Sequence, residues 1–186
     1  MLPMGPLMIE HRLIEQVIAA IQETIERDRR QEKIDPAFVE EAIDFIRTYA
    51  DRTHHGKEED LYFRDLSRKD LSPEHRRLMQ ELIEEHREGR RIVNRLAEAL
   101  RRYRGGDLAS REAILNGLEE LAGFYPPHIK KEDKVFFPQA AGYFDKEENE
   151  ALLKQMASFD GRMIHEKYRR MLQAWAESGA EPRAKS

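Results

Sequence analysis

Along most of this chain, apolar residues recur at spacings of three and four, and histidine falls inside that recurrence four times. Such spacing marks one face of an α-helix. A first helix, from about Leu7 to about Arg30, carries Leu7, His11, Ile14, Ile18, Ile21 and Ile25. A second opens at Asp35-Pro36, a capping side chain followed by proline in the first turn. It carries Val39, Ile43, Ile46, Ala50, His54, Glu58 and Leu61. A third opens at Ser72-Pro73 in the same way, carries Leu82, His86, Gly89, Val93, Leu96 and Leu100, and stops at the Gly105-Gly106-Asp107 turn. A fourth carries Ile114, Leu118, Leu121, Tyr125, His128, Glu132 and Val135. A fifth starts at Asp145, with Glu148 three residues on as in a capping box, and runs to about Trp175. Short connections make the first four helices antiparallel neighbours. The pattern predicts an all-α fold: an up-down-up-down four-helix bundle with an additional C-terminal helix. One domain is expected over 1–186, with its core bundle at about 7–140 and the extra helix at about 145–178.

Several chemistries are excluded by what the chain lacks. It has no cysteine, so disulfides, thiolate metal sites, iron–sulfur clusters and thiol catalysis drop out. Basic and acidic residues number 32 and 36 and are interleaved, which gives no case for nucleic-acid binding. No apolar run is long enough for a membrane span. The start, Met1-Leu2-Pro3-Met4-Gly5-Pro6, lacks the basic and apolar regions of a secretory signal, so a cytoplasmic location is expected.

The histidines carry the functional signal. His11, His54, His86 and His128 lie on the core-facing stripe, one per helix, and Glu58 and Glu132 follow two of them by one turn. Ionised glutamate is almost never buried without a partner, and a dication supplies one. The segments His54 to Phe63 and His128 to Phe137 repeat one pattern: His, three residues, Glu, two residues, an aliphatic and two aromatics. They read as two half-sites, which His11 and His86 complete. Any metal here must be held by His, carboxylate, water or an exogenous ligand.

Taken together, Ile9-Glu10-His11-Arg12, the His54 to Phe63 segment, Glu84-Glu85-His86-Arg87 and the His128 to Pro138 segment resemble the hemerythrin-like family, the HHE cation-binding domain. The resemblance implies a four-helix bundle around two non-haem iron ions joined by an oxo or hydroxo bridge. It also implies terminal ligands at His11, His54, His86 and His128 and bridging carboxylates at Glu58 and Glu132. Oxygen-carrying members have two ligand histidines on the third helix, whereas this chain has only His86 there, flanked by Leu82, Gly89 and Arg90. One ion is then short of a protein ligand.

Two further histidines are candidates for that gap. His55 is expected to point a quarter-turn away from His54, toward the surface or behind a ligand. His165, at the edge of the fifth helix's apolar stripe, reaches the ions if that helix packs across the open end of the bundle into the space left by Gly89. His75 is expected to be solvated, and Pro126-Pro127 to kink the fourth helix. The expected function is binding or sensing of a diatomic gas, oxygen or nitric oxide, or handling of iron. The alternative is a di-iron enzyme that consumes oxygen, peroxide or nitric oxide. No histidine has a glutamate three residues before it, which counts against the ferritin-like catalytic site. His/Glu sites also accept zinc and manganese.

Overall fold

Three helix starts are closed by the side chain that the sequence names for them. Asp35 accepts hydrogen bonds from the backbone N–H groups of Ala37 (3.1 Å) and Phe38 (3.2 Å). The Ser72 hydroxyl accepts one from His75 N–H at 3.2 Å. Asp145 and Glu148 form a reciprocal capping box: Asp145 N–H donates to Glu148 at 3.0 Å, and Glu148 N–H to Asp145 at 2.8 Å. The turn after the third helix depends on Gly106, at φ +97°, where a side chain is strained.

The structure, a computed structural model, describes the backbone over residues 2–177 and the side chains over 2–163. Among the described residues there are five helices and no strand. Helix α1 spans Met4–Gln31. Helix α2 spans 36–66 and is not α-helical throughout: Pro36–Phe45 passes into π-helix over Ile46–His55 and again over Glu58–Phe63. Helix α3 spans Pro73–Arg104. Helix α4 spans 110–140 and opens into a π-turn at Glu132–Phe136. Pro126 and Pro127 lie inside its α-helical part, and the change of helical register comes after them. Helix α5 spans Lys146–Glu177. No helix of the described residues is long and apolar enough to cross a membrane.

Two apolar clusters fill the bundle. One joins the later part of α1 to the early part of α2, the later part of α3 and the early part of α4, from Ile14 and Val39 to Leu96 and Leu118. The other joins the opposite ends, with Leu7, Leu66, Leu82 and Phe137 among its members. This alternation of starts and ends is the up-down-up-down topology. The candidate site occupies the layer between the clusters.

Up to residue 163, helix α5 does not cross the open end of the bundle. It runs beside α2, and its Leu152 and Met156 join the second cluster. Gly56 admits it, since a Cβ there would lie 2.9 Å from Phe159 Cζ. The space at Gly89 is filled from α4, where the Phe124 ring would stand 3.2 Å from an added Cβ. Gly56→Val should therefore destabilise the fold by about 1–3 kcal/mol through overpacking. Combined with Phe159→Ala, it should cost less than the two single changes summed, as a denaturant double-mutant cycle would measure.

Candidate metal centre

All six side chains expected at the site converge in the layer between the apolar clusters. His11, His54, Glu58, His86, His128 and Glu132 are each at most 3 % exposed. A seventh joins them: His55, 1 % exposed, with its ring stacked 3.8 Å from that of His86. The expectation that His55 turns away rested on the angular step of an α-helix. Residues 46–55 form π-helix, whose i→i+5 bonding widens the turn and narrows the angle between neighbours, so His54 and His55 both face inward. Side chains brace the widened turn: Thr53 Oγ1 donates to the Thr48 carbonyl at 2.7 Å, and Arg52 Nε to the Arg47 carbonyl at 3.1 Å. His165 lies outside the described side chains. His75 is half-buried rather than solvated, and its ring nitrogens meet Tyr143 Oη at 2.6 Å and Gln139 Oε1 at 2.8 Å.

The donors fall into two groups. Ligating atoms of His55, His86 and His128 lie within 4.8 Å of one another, and so do those of His11, His54, Glu58 and Glu132. The carboxylates face both groups. Glu58 Oε1 is 3.4 Å from His54 Nε2, and its Oε2 is 3.4 Å from His86 Nε2. Glu132 Oε2 is 3.2 Å from His11 Nε2 and 3.5 Å from His128 Nε2, while its Oε1 is 3.7 Å from His86 Nε2. Donors about 2.0–2.2 Å from one ion lie roughly 3 Å or a little more from each other, so these separations suit shared ions.

Behind the donors runs a closed ring of carboxylates. Each imidazole uses Nδ1 to meet an acid on the preceding helix. His54 meets Glu10 of α1 at 2.9 Å, His86 meets Glu59 of α2 at 2.8 Å, and His128 meets Glu85 of α3 at 2.8 Å. His11 of α1 meets Asp133 of α4 at 2.7 Å, which closes the circuit. Each acid is also held by a cation from the same helix as its histidine: Lys57 on Glu10, Arg90 on Glu59, Lys131 on Glu85 and Arg12 on Asp133. His55 Nδ1 lies 3.4 Å from Asp51 of its own helix, and Asp51 in turn meets Arg90 at 2.7 Å. With Nδ1 of His11, His54, His86 and His128 so engaged, their Nε2 lone pairs are left for the interior. Sequence reading missed this layer. Its trace in the sequence is an acid beside four of the site residues: Glu10-His11, Glu58-Glu59, Glu85-His86 and Glu132-Asp133.

The interior lacks protein donors for what it buries. Both oxygens of Glu58, both oxygens of Glu132, and Nε2 of His86 and His128 are buried without a hydrogen-bond partner among the described residues. His11 Nε2 and His54 Nε2 face each other at 2.9 Å, an arrangement that needs a proton or a cation between them. Stranded buried acceptors cost free energy, and cations in the layer remove that cost. The residues present therefore fit a pair of metal ions.

The family model of the hemerythrin HHE cation-binding domain matches residues 5–140. The chain belongs to the hemerythrin HHE cation-binding family. Comparison with curated proteins and with solved structures returned no match. The matched span covers the hemerythrin bundle and leaves α5 outside it.

Without a cation the site settles its charges internally. Burial, and then the Glu132 charge, raises Glu58 well above the carboxylate range. Burial also pushes Glu132 upward, but the charge on His128 and the close imidazoles of His11 and His86 outweigh it and hold Glu132 well below that range. Burial acts to lower His11, yet Asp133 and Glu132 keep it up at about 9. Burial, and then His86, pushes His55 down to about 3.

A pH dependence follows for the metal-free protein. An unfolded imidazole gains its proton near pH 6.5, and folded His55 only near 3, so between these values the unfolded chain binds the extra proton. The stability that neutral His55 contributes is thus present above pH 6.5 and lost as the pH falls toward 3. The contribution of His11 has the opposite sign: it is full below 6.5 and lost as the pH rises through about 9, outside that window. The melting-temperature gap between wild type and His55→Asn should therefore narrow steadily on acidification from pH 6.5. A constant gap would mean that His55 is not held neutral in the fold.

Proposed function

We propose that this hemerythrin-family chain is a non-haem di-iron protein that binds or senses a diatomic gas, oxygen or nitric oxide. The supporting observation is the unequal division of donors. One side of the layer has three histidines, His55, His86 and His128; the other has two, His11 and His54; Glu58 and Glu132 face both sides. If Glu58 and Glu132 served both sides, the His11/His54 side would have one protein donor fewer, and a small ligand would complete the donor set there. His55 takes the place of the histidine missing from the third helix.

Iron bound by imidazole and carboxylate supplies reversible redox change and affinity for small ligands. The chain's own residues fix donor direction and keep water out. The ring acids hold each imidazole by Nδ1, and aromatic rings cover the histidines from outside. Phe137 stacks 6.2 Å from His11, Phe63 6.0 Å from His86 and Phe124 5.3 Å from His128. No protein hydroxyl or ammonium donates to Glu58 or Glu132 among the described residues.

Elemental analysis should find about two iron ions per chain, and Glu58→Ala/Glu132→Ala should lose both. His55→Ala should lose one of the two, and retention of both in a folded variant would remove His55 from the ligand set. Anaerobically reduced protein should gain a charge-transfer band with oxygen that disappears when the gas is removed. Continuous oxygen consumption instead would make the protein an enzyme. Glu10→Gln, which loosens the hold on His54, should weaken metal binding about 10–100-fold in a chelator competition.

A further inference from the structure

The two half-sites correspond down to their aromatic residues, with one exception. Phe63 and Phe137 cover them in the same way: Phe63 stacks on His86 with ring centres 6.0 Å apart, and Phe137 on His11 at 6.2 Å. The residue before each packs edge-on against the other member of that pair. Tyr62 meets Phe137 at 5.7 Å and 89°, and Phe136 meets Phe63 at 5.3 Å and 85°. Tyr62 and Phe136 thus hold corresponding places, and both are fully buried. They differ by one hydroxyl.

Nothing in the metal-free fold uses that hydroxyl. Tyr62 Oη is buried and has no hydrogen-bond partner among the described residues. The rings packed against Tyr62 are those of Phe63, Phe137 and Phe144, and none offers an acceptor in its place. A buried hydroxyl left unpaired costs free energy, and Phe136 fills the corresponding place without one. Side chains on a helix lean toward its N-terminus, and in that direction Glu58 stands one turn away. Burial raises the Tyr62 phenol above its ordinary range, and the Glu58 charge adds to the rise, so the hydroxyl keeps its proton to donate.

The hydroxyl also serves one side of the layer only. Tyr62 is joined by Phe137 to His11, whereas Phe136 is joined by Phe63 to His86. The side that has the hydroxyl is therefore the side with two histidines, and the side that lacks it has three.

We propose that Tyr62 recognises the exogenous ligand of the centre: its hydroxyl donates a hydrogen bond to the small molecule or anion that completes the donor set on the His11/His54 side. This role rests on the reading of the layer as a pair of metal ions with its open position there.

Azide is a suitable probe, added to the oxidised, iron-loaded full chain and followed by its charge-transfer band. Tyr62→Phe should keep the iron content of the wild type and weaken azide binding about 3–10-fold, as the loss of one hydrogen bond does. Tyr125→Phe, whose ring lies 6.4 Å from that of His55 on the other side, should leave azide affinity unchanged. The infrared stretch of bound azide should shift between light and heavy water in the wild type, and shift less in Tyr62→Phe. In the metal-free chain Tyr62→Phe should melt no lower than the wild type, because no hydrogen bond is lost. At equal iron content, equal azide affinity with an equal isotope shift would overturn the proposal, and so would an iron-filled site that binds no azide. A lower melting temperature of the metal-free variant would overturn it too, by showing the hydroxyl already paired. A phenolate-to-iron band lost in Tyr62→Phe would make Tyr62 a ligand and not a donor. A wild-type chain that takes up no metal would overturn the reading of the layer and this role with it. Steady oxygen consumption beside an intact azide difference would overturn the gas-binding reading alone and support the role of Tyr62.

Discussion

The ring of carboxylate–imidazole bonds is the constraint on which the rest of this bundle depends. Four helices packed only by apolar stripes can slide or rotate at little cost, because leucine and isoleucine contacts are not directional. The bonds Glu10–His54, Glu59–His86, Glu85–His128 and Asp133–His11 fix each helix to the next in both height and rotation, and the fourth bond returns to the first helix. Each acid is half-buried or buried, so its hydrogen bond is strengthened by the lower dielectric while its other oxygen stays within reach of a cation. A rotation that moves one imidazole out of the layer therefore breaks a charged hydrogen bond as well as an apolar contact.

Where the sequence was legible and where it was not has a physical logic. Helix starts were legible because Asp35, Ser72 and Asp145 act through local bonds to backbone two or three residues away. The six stripe ligands were legible because burial and helical period are both local. His55 was misjudged because its direction depends on a π-helical turn, and no residue type in 46–55 announces one. Gly89 was misread because what fills the space beside it is Phe124 from α4, a contact set by tertiary packing. The ring acids escaped notice for a related reason. Glu10 and Glu85 look like partners of the histidines beside them, yet each reaches across to the next helix.

The centre also shows why such a site couples folding to cation binding. Glu58 and Glu132 are fully buried in one layer, and none of their four oxygens receives a hydrogen bond. Two like charges at this depth cannot both persist without compensation, which is why Glu58 is driven toward its neutral form while Glu132 draws on three imidazoles. Dications held by these residues would reverse that assignment: both carboxylates would ionise, and His11 would give up its proton. The metal-free fold thus holds protons in the places that cations would take.

Lys57 connects this chemistry to the helix outside the matched span. Its side chain is fully buried between His54 and Glu58 in sequence, and its ammonium touches both Glu10 and Asp160. An ammonium at that depth needs its anions, and leaving it with one fewer exposes the usual asymmetry: breaking a buried pair costs far more than the pair contributes. Glu10 is already committed to His54, so Asp160 supplies the second negative charge. The π-turn that admits His55 also places Gly56 against Phe159, so apolar contact and ion pair meet α5 within one turn of the ligands. Helix α5 is therefore joined to the bundle where the charge balance of the His54 side is decided, through contacts that run from Asp160 to Lys57, to Glu10 and to the imidazole of His54.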